Sequence, residues 1–153
     1  MPDPKPEGRT IRALQVVARG LGRVGRDQAR AIGADLTPQQ AEALQLLIQR
    51  GVISTSEIAQ MLGIDPSTAS RNLAGLERRG YVVRRRGAED GRQTDVRLTA
   101  RGKRTAEAVC SGWTAAYVSL LDRLPRLERQ RVAEALDALS RVFDEADEPH
   151  DPG

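Results

Sequence analysis

Ser54-Thr55-Ser56-Glu57-Ile58-Ala59-Gln60-Met61-Leu62-Gly63-Ile64-Asp65-Pro66-Ser67-Thr68-Ala69-Ser70-Arg71-Asn72-Leu73 is the stretch whose reading decides the fold. It holds two helix starts. Ser54 followed by Glu57 is a capping box, in which each residue satisfies an orphan N–H of the other. The helix it opens runs through Ile58, Ala59, Met61 and Leu62 to Gly63. Asp65-Pro66 repeats the signal, with a capping carboxylate and then a proline where no helical N–H is needed. That helix carries Ala69, Leu73 and Leu76 on one face, reaches Arg79 and stops at Gly80. Two short helices joined by a tight turn at 62–65 are helix-turn-helix geometry.

Toward the C-terminus, Tyr81-Val82-Val83-Arg84-Arg85-Arg86 reads as a strand. Residues 87–94 are turn-rich, and Asp95-Val96-Arg97-Leu98-Thr99 alternates polar with apolar as the returning strand. A long helix from about 100 to 124 presents Ala106, Val109, Trp113, Ala116, Tyr117, Leu120, Leu121 and Leu124. Pro125 interrupts it, and a last helix over 126–146 shows Val132, Leu136, Leu139, Val142 and Phe143. Toward the N-terminus, Thr37-Pro38-Gln39-Gln40 opens a helix through Leu44, Leu46, Leu47 and Ile48 to Gly51. Before it, Ile11, Leu14, Val17, Leu21 and Val24 recur at helical spacing over 9–32, although Gly20, Gly22 and Gly25 weaken that helix by about 1 kcal/mol each. Residues 1–8 read as a flexible lead and 147–153 as a flexible acidic tail. The expected order is four helices, a two-stranded hairpin and two helices: mainly α with a small β-hairpin (α+β).

The chain has 153 residues, a length for one compact subunit, and 39% hydrophobic residues suffice for a core. Aromatics are only 3%, so that core rests on Leu, Val, Ile and Ala. Net charge is +3, but Pro66–Arg104 holds eleven basic residues against four acids. This surplus of seven exceeds that of the whole chain, so positive charge is concentrated where the helix-turn-helix and hairpin lie. Such a concentration suits nucleic acid. The end of the chain is opposite in sign, with Asp144, Glu145, Asp147, Glu148 and Asp151.

Enzyme chemistry finds no foothold. His150 is the single histidine and Cys110 the single cysteine, too few for a His/Cys metal site or an intramolecular disulfide. No nucleophile–base set, phosphate-binding glycine loop or paired-acid motif stands out, and no cofactor is expected. Residues 1–8 are polar and proline-rich, so no signal peptide is expected, and no apolar run approaches membrane-spanning length, so the expected location is cytoplasmic.

A helix fits the major groove, where side chains reach base edges. In helix 66–79 the apolar face leaves Ser67, Thr68, Ser70 and Arg71 elsewhere, near the helix start. Small hydroxyls allow close approach, and an arginine can pair bidentately with guanine. Alone, these residues fit a solvated helix start as well. Arg84, Arg85 and Arg86 favour DNA, since strand alternation prevents one packed core from explaining all three. Asp90 can orient Arg92 at the hairpin tip by a charge-assisted bond, which suits the negative potential of the minor groove; an ordinary solvated turn with a weak surface ion pair fits the pair alone equally well. The expected partner is double-stranded DNA, contacted by Ser67, Thr68, Ser70, Arg71, Arg84, Arg86, Asp90 and Arg92.

The run from Ser54 to Leu73 resembles the helix-turn-helix of MarR-type regulators. Leu76-Glu77-Arg78-Arg79-Gly80-Tyr81-Val82-Val83-Arg84 is similar to a passage of the same family. So are Asp90-Gly91-Arg92, in its wing, and Arg97-Leu98-Thr99-Ala100-Arg101-Gly102, at the entry to its fifth helix. The resemblance implies a winged helix-turn-helix core at about 37–99 inside a single subunit of 9–146. Helices 9–32 and 100–146 would form a homodimer, binding a palindromic operator with half-sites about one DNA turn apart. It implies a repressor released by a small aromatic or phenolic effector in a cleft that Leu14, Trp113 and Tyr117 would line, with Arg19 facing an acid group. Core packing or dimer contact is nevertheless the favoured reading for Trp113, Arg19 reads first as a solvated helix residue, and Cys110 reads as a packed thiol. The competing reading is a winged-helix module for protein–protein assembly, which would tolerate a neutral or acidic wing.

Overall fold

The computed structural model describes residues 6–33, 35–87 and 93–147. It comprises two compact units, Met1–Thr114 and Ala115–Gly153. In chain order the elements are α1 (Pro6–Ala31), α2 (Pro38–Arg50), β1 (Ile53–Ser54), α3 (Thr55–Leu62), α4 (Pro66–Arg78), β2 (Val82–Arg86), β3 (Thr94–Leu98), α5 (Ala100–Leu121) and α6 (Arg126–Asp147).

The capping signals act as read. The Gln40 N–H donates to Thr37 Oγ1 at 3.2 Å and the Thr37 N–H donates to Gln40 Oε1 at 3.1 Å, which starts α2. The Glu57 N–H donates to Ser54 Oγ at 3.2 Å and the Ser54 N–H to Glu57 Oε2 at 2.9 Å, which starts α3. Gly63, at φ 61, ends α3 in the left-handed region that glycine occupies without strain. The core of the first unit is aliphatic. Leu44 and Leu47 of α2, Ile58 of α3, Leu73 and Leu76 of α4, Val82, Val96 and Val109 are its largest fully buried side chains. Each such burial contributes roughly 1.5–3 kcal/mol.

The sheet corrects one expectation. It has three strands, in the order β1-β3-β2, not two. Ile53 pairs with Val96 and Ser54 with Asp95, antiparallel. Two residues are too few for alternation to register, and Ser54 also carries the helix cap, so its strand role was hidden. The hairpin proper pairs Val82 with Leu98 through Arg86 with Thr94.

A latch joins α4, β2 and α5. The Thr99 hydroxyl donates to the Gly80 carbonyl at 2.6 Å, its N–H donates to the Tyr81 carbonyl at 3.0 Å, and the Gly102 N–H donates to Thr99 Oγ1 at 2.9 Å. Gly102 lies so close to Tyr81 that a Cβ there would sit 1.8 Å from the Tyr81 carbonyl oxygen.

Helix α1 starts at Pro6, inside the stretch read as a flexible lead, and runs unbroken through Gly20, Gly22 and Gly25. Only Ala29 is buried among its described side chains; Ile11, Leu14, Val16 and Val17 are about half exposed. In the second unit, α6 likewise leaves Leu127, Leu136, Val142 and Phe143 exposed. α5 ends at Leu121, earlier than position 124 expected from its apolar spacing. Among the described residues no helix is long and apolar enough to cross a membrane.

Candidate nucleic-acid interface

The N-terminus of α4 is an ordered polar cluster. Asp65 caps the helix by accepting the Thr68 N–H at 3.0 Å. Its second oxygen accepts the Thr68 hydroxyl at 2.6 Å, and the Ser67 hydroxyl donates to the first. These hydroxyl donors hold the Asp65 carboxyl far below the usual carboxylate range. Arg71 Nη2 donates to Thr68 Oγ1 at 3.1 Å. An ionised carboxylate only accepts, so both hydroxyl protons point inward. The exposed Ser67 oxygen therefore turns lone pairs outward, while Arg71 offers donors. The cluster suits a base edge carrying an amino group beside a guanine or a phosphate.

The C-terminal half of α4 is tied to the hairpin. Glu77 accepts the Arg84 Nε–H at 2.9 Å and the Arg84 backbone N–H at 3.1 Å. The Arg84 side chain is only 24% exposed. The hydrogen bond from Arg84 lowers the Glu77 pKa below its ordinary 4.5. Two residues after Glu77, Arg79 ties the end of α4 to α2 and the segment before it, donating to the Asp35 carbonyl and to Gln40 Oε1, each at 2.6 Å. Arg79 and Arg101 both lie over the buried Tyr81 ring, at 5.5 and 4.7 Å from its centroid. Both are within cation–π range.

The expected contact residues divide accordingly. Ser67 and Arg71 are exposed, Thr68 and Ser70 partly so, all four near the start of one helix. Arg85 and Arg86 are exposed on β2, with Arg85 opposite Asp95. Arg84 differs from its neighbours: it is engaged with Glu77. Asp90 and Arg92 lie outside the described residues. Sequence reasoning read Asp65 as a cap but missed its hold on the Ser67 and Thr68 hydroxyls, and it missed Glu77 as an organiser. A single acid set in the basic run before the strand, seven residues from an arginine, was the available signal for Glu77.

The residues expected to line an effector cleft lie on two helices. Leu14 is exposed on α1, Trp113 is buried on α5, and Tyr117 is partly buried further along α5, in the second unit. The Trp113 Nε1–H has no partner among the described residues. A surface hollow of about 480 Å³ runs along α1 past Val16, Arg19, Arg23 and Arg26, and includes neither Leu14 nor Trp113. Burial pushes the Cys110 thiol pKa up, away from the reactive thiolate. Among the described residues no group of His, Cys, Asp and Glu could hold a metal ion.

Comparison with known proteins agrees with this geometry. A family model described as the MarR family matches residues 34–93. The HTH-type transcriptional regulator YfiV of Bacillus subtilis (strain 168) is 30% identical over 131 residues, which is 86% of this chain and 79% of YfiV. The fold matches that of a MarR family protein from Bacillus stearothermophilus with a TM-score of 0.79 at 22% identity, over 94% of this chain and 99% of that one. It also matches Staphylococcus aureus MepR, solved in complex with DNA, with a TM-score of 0.69 at 22% identity, over 86% and 95% of the two chains. With the helix-turn-helix, the hairpin and the latch at Thr99–Gly102 all in place, the chain belongs to the MarR family of winged-helix transcriptional regulators.

Proposed function

We propose that the chain binds double-stranded DNA sequence-specifically as a homodimer. In each copy α4 enters the major groove and the β2–β3 wing follows the flanking backbone. The observation that carries this reading is the set of exposed Ser67 and Arg71 with half-buried Ser70 at the start of a capped helix, on the same unit as the exposed arginines Arg85 and Arg86. A second copy is the occupant proposed for the apolar faces of α1 and α6, where Ile11, Leu14, Leu136 and Phe143 are each more than half exposed. Exposed apolar faces of this kind, each on its own helix, mark association sites. A two-fold dimer reads a palindrome with half-sites about one DNA turn apart. The family resemblance adds repression and release by a small effector, with Asp90 and Arg92 at the wing tip and a cytoplasmic location.

Selection of bound duplexes from a random pool tests the reading. An enriched palindrome, with affinity falling steeply as salt rises, supports it. Retention of all sequences equally would leave only charge-driven binding, and no retention at low salt would remove DNA as the partner. A Leu136→Glu/Phe143→Glu variant that stays dimeric in sedimentation would exclude this part of α6 from the interface.

A further inference from the structure

We infer that Glu77 is a positioning residue for the wing and that Arg84 acts through it rather than on a DNA phosphate; this rests on the proposed DNA-binding reading. Glu77 stands in the last full turn of α4, and Arg84 is the third residue of β2. One carboxylate receives both the Nε–H and the backbone N–H of Arg84, so it fixes strand and side chain together. The strand is also held on its inner side, where Arg84 pairs with the fully buried Val96. Across the turn at 79–81, the clamp couples the helix that enters the groove to the hairpin that flanks it. A guanidinium so placed is already charge-compensated, and it is markedly less exposed than Arg85 and Arg86.

The two roles leave different signatures in salt dependence. Each phosphate neutralised steepens the log–log salt slope by about 0.9, hence about 1.8 for a dimer. A direct contact contributes to that slope, and a positioning residue does not. The experiment measures operator and random-duplex affinity against sodium chloride for four proteins: wild type, Arg84→Gln, Glu77→Gln and the exchanged pair Glu77→Arg/Arg84→Glu. Thermal melts confirm the fold of each.

For Arg84→Gln the operator affinity falls by roughly fivefold per half-site, the scale of a partly exposed ion pair, with the salt slope unchanged. For Glu77→Gln the amide oxygen still accepts the Arg84 backbone N–H, so the hairpin stays paired while the guanidinium is released. Random-duplex binding then tightens and its slope steepens by up to about 1.8, which narrows the ratio of specific to non-specific affinity. The exchanged pair recovers part of that ratio.

Arg84→Gln flattening the slope by about 1.8 would overturn the inference, because Arg84 would then touch phosphate. A Glu77→Gln protein with wild-type slope and ratio would overturn it too, and this variant decides the matter even if Arg84→Gln fails to fold. Failure of the DNA-binding reading itself is separable, since the wild type would then bind no duplex at low salt, or bind operator and random duplex alike.

Discussion

Gly102→Ala isolates the latch that holds the wing and α5 together. In an unhindered helix interior, replacing glycine by alanine stabilises by about 1 kcal/mol. At Gly102 the added carbon would stand 1.8 Å from the Tyr81 carbonyl oxygen and 2.8 Å from its carbon. Real Cβ contacts essentially never fall below 3.0 Å, so something must move by about 1.2 Å. The obstacle is backbone, which cannot rotate away as a side chain can. Moving Tyr81 from α5 stretches the bond from the Thr99 N–H to its carbonyl and disturbs that from the Thr99 hydroxyl to the neighbouring Gly80 carbonyl. Overpacking strain costs about 1–3 kcal/mol and two weakened hydrogen bonds about 1 kcal/mol each. Set against the gain in helix propensity, the net is a destabilisation of about 2–4 kcal/mol. For a chain of this size that lowers Tm by roughly 5–15 °C. Calorimetry or far-UV circular dichroism reads it directly. A Gly102→Ala protein melting at or above the wild type would refute the close approach. Gly20→Ala is the control: nothing lies within 4 Å of its Cβ, so it should gain up to about 1 kcal/mol.

Three further outcomes follow from the site. Ser67→Ala should relax preference at one base pair per half-site, where the wild type selects an adenine or cytosine amino group; an unchanged selected motif would exclude Ser67 from base reading. Glu77 has a lowered pKa, so its stabilisation is present above its ordinary 4.5 and is lost as pH falls through the folded value. Glu77→Gln should therefore flatten the fall of Tm below pH 4.5 and change nothing in its slope near neutrality, as acid melts will show. Asp65→Ala removes the cap and both hydroxyl acceptors, so melts should show a less stable protein and titrations a weaker operator complex, whereas Asp65→Asn, which still caps, should keep most of the stability.

How legible the sequence was depended on the range of each interaction. Caps were legible, because Thr37–Gln40, Ser54–Glu57 and Asp65–Thr68 act within four residues of each other. So was the helix-turn-helix, which is built from two such caps and one left-handed glycine. The third strand was not, since Ile53 acquires its role only by pairing with Val96, far along the chain. Thr99 and Gly102 fit a family pattern, but the reason for both is the Tyr81 carbonyl, which no local rule points to. Among the candidate contacts, Ser67, Thr68 and Arg71 were identified from their place on α4. Arg84 was grouped with Arg85 and Arg86 by charge, and only the position of Glu77 sets it apart. The apolar faces of α1 and α6 were visible as periodicity, and the structure shows how much of them one copy leaves uncovered.

Salt-dependent binding of the wild-type protein to its own selected duplex tests the central claim most directly. The expected result is an enriched palindrome with half-sites about one DNA turn apart, bound by two copies, with affinity that falls steeply as salt rises and is lost in Arg71→Ala. Binding that ignores sequence, or that survives Arg71→Ala unchanged on that duplex, would contradict it.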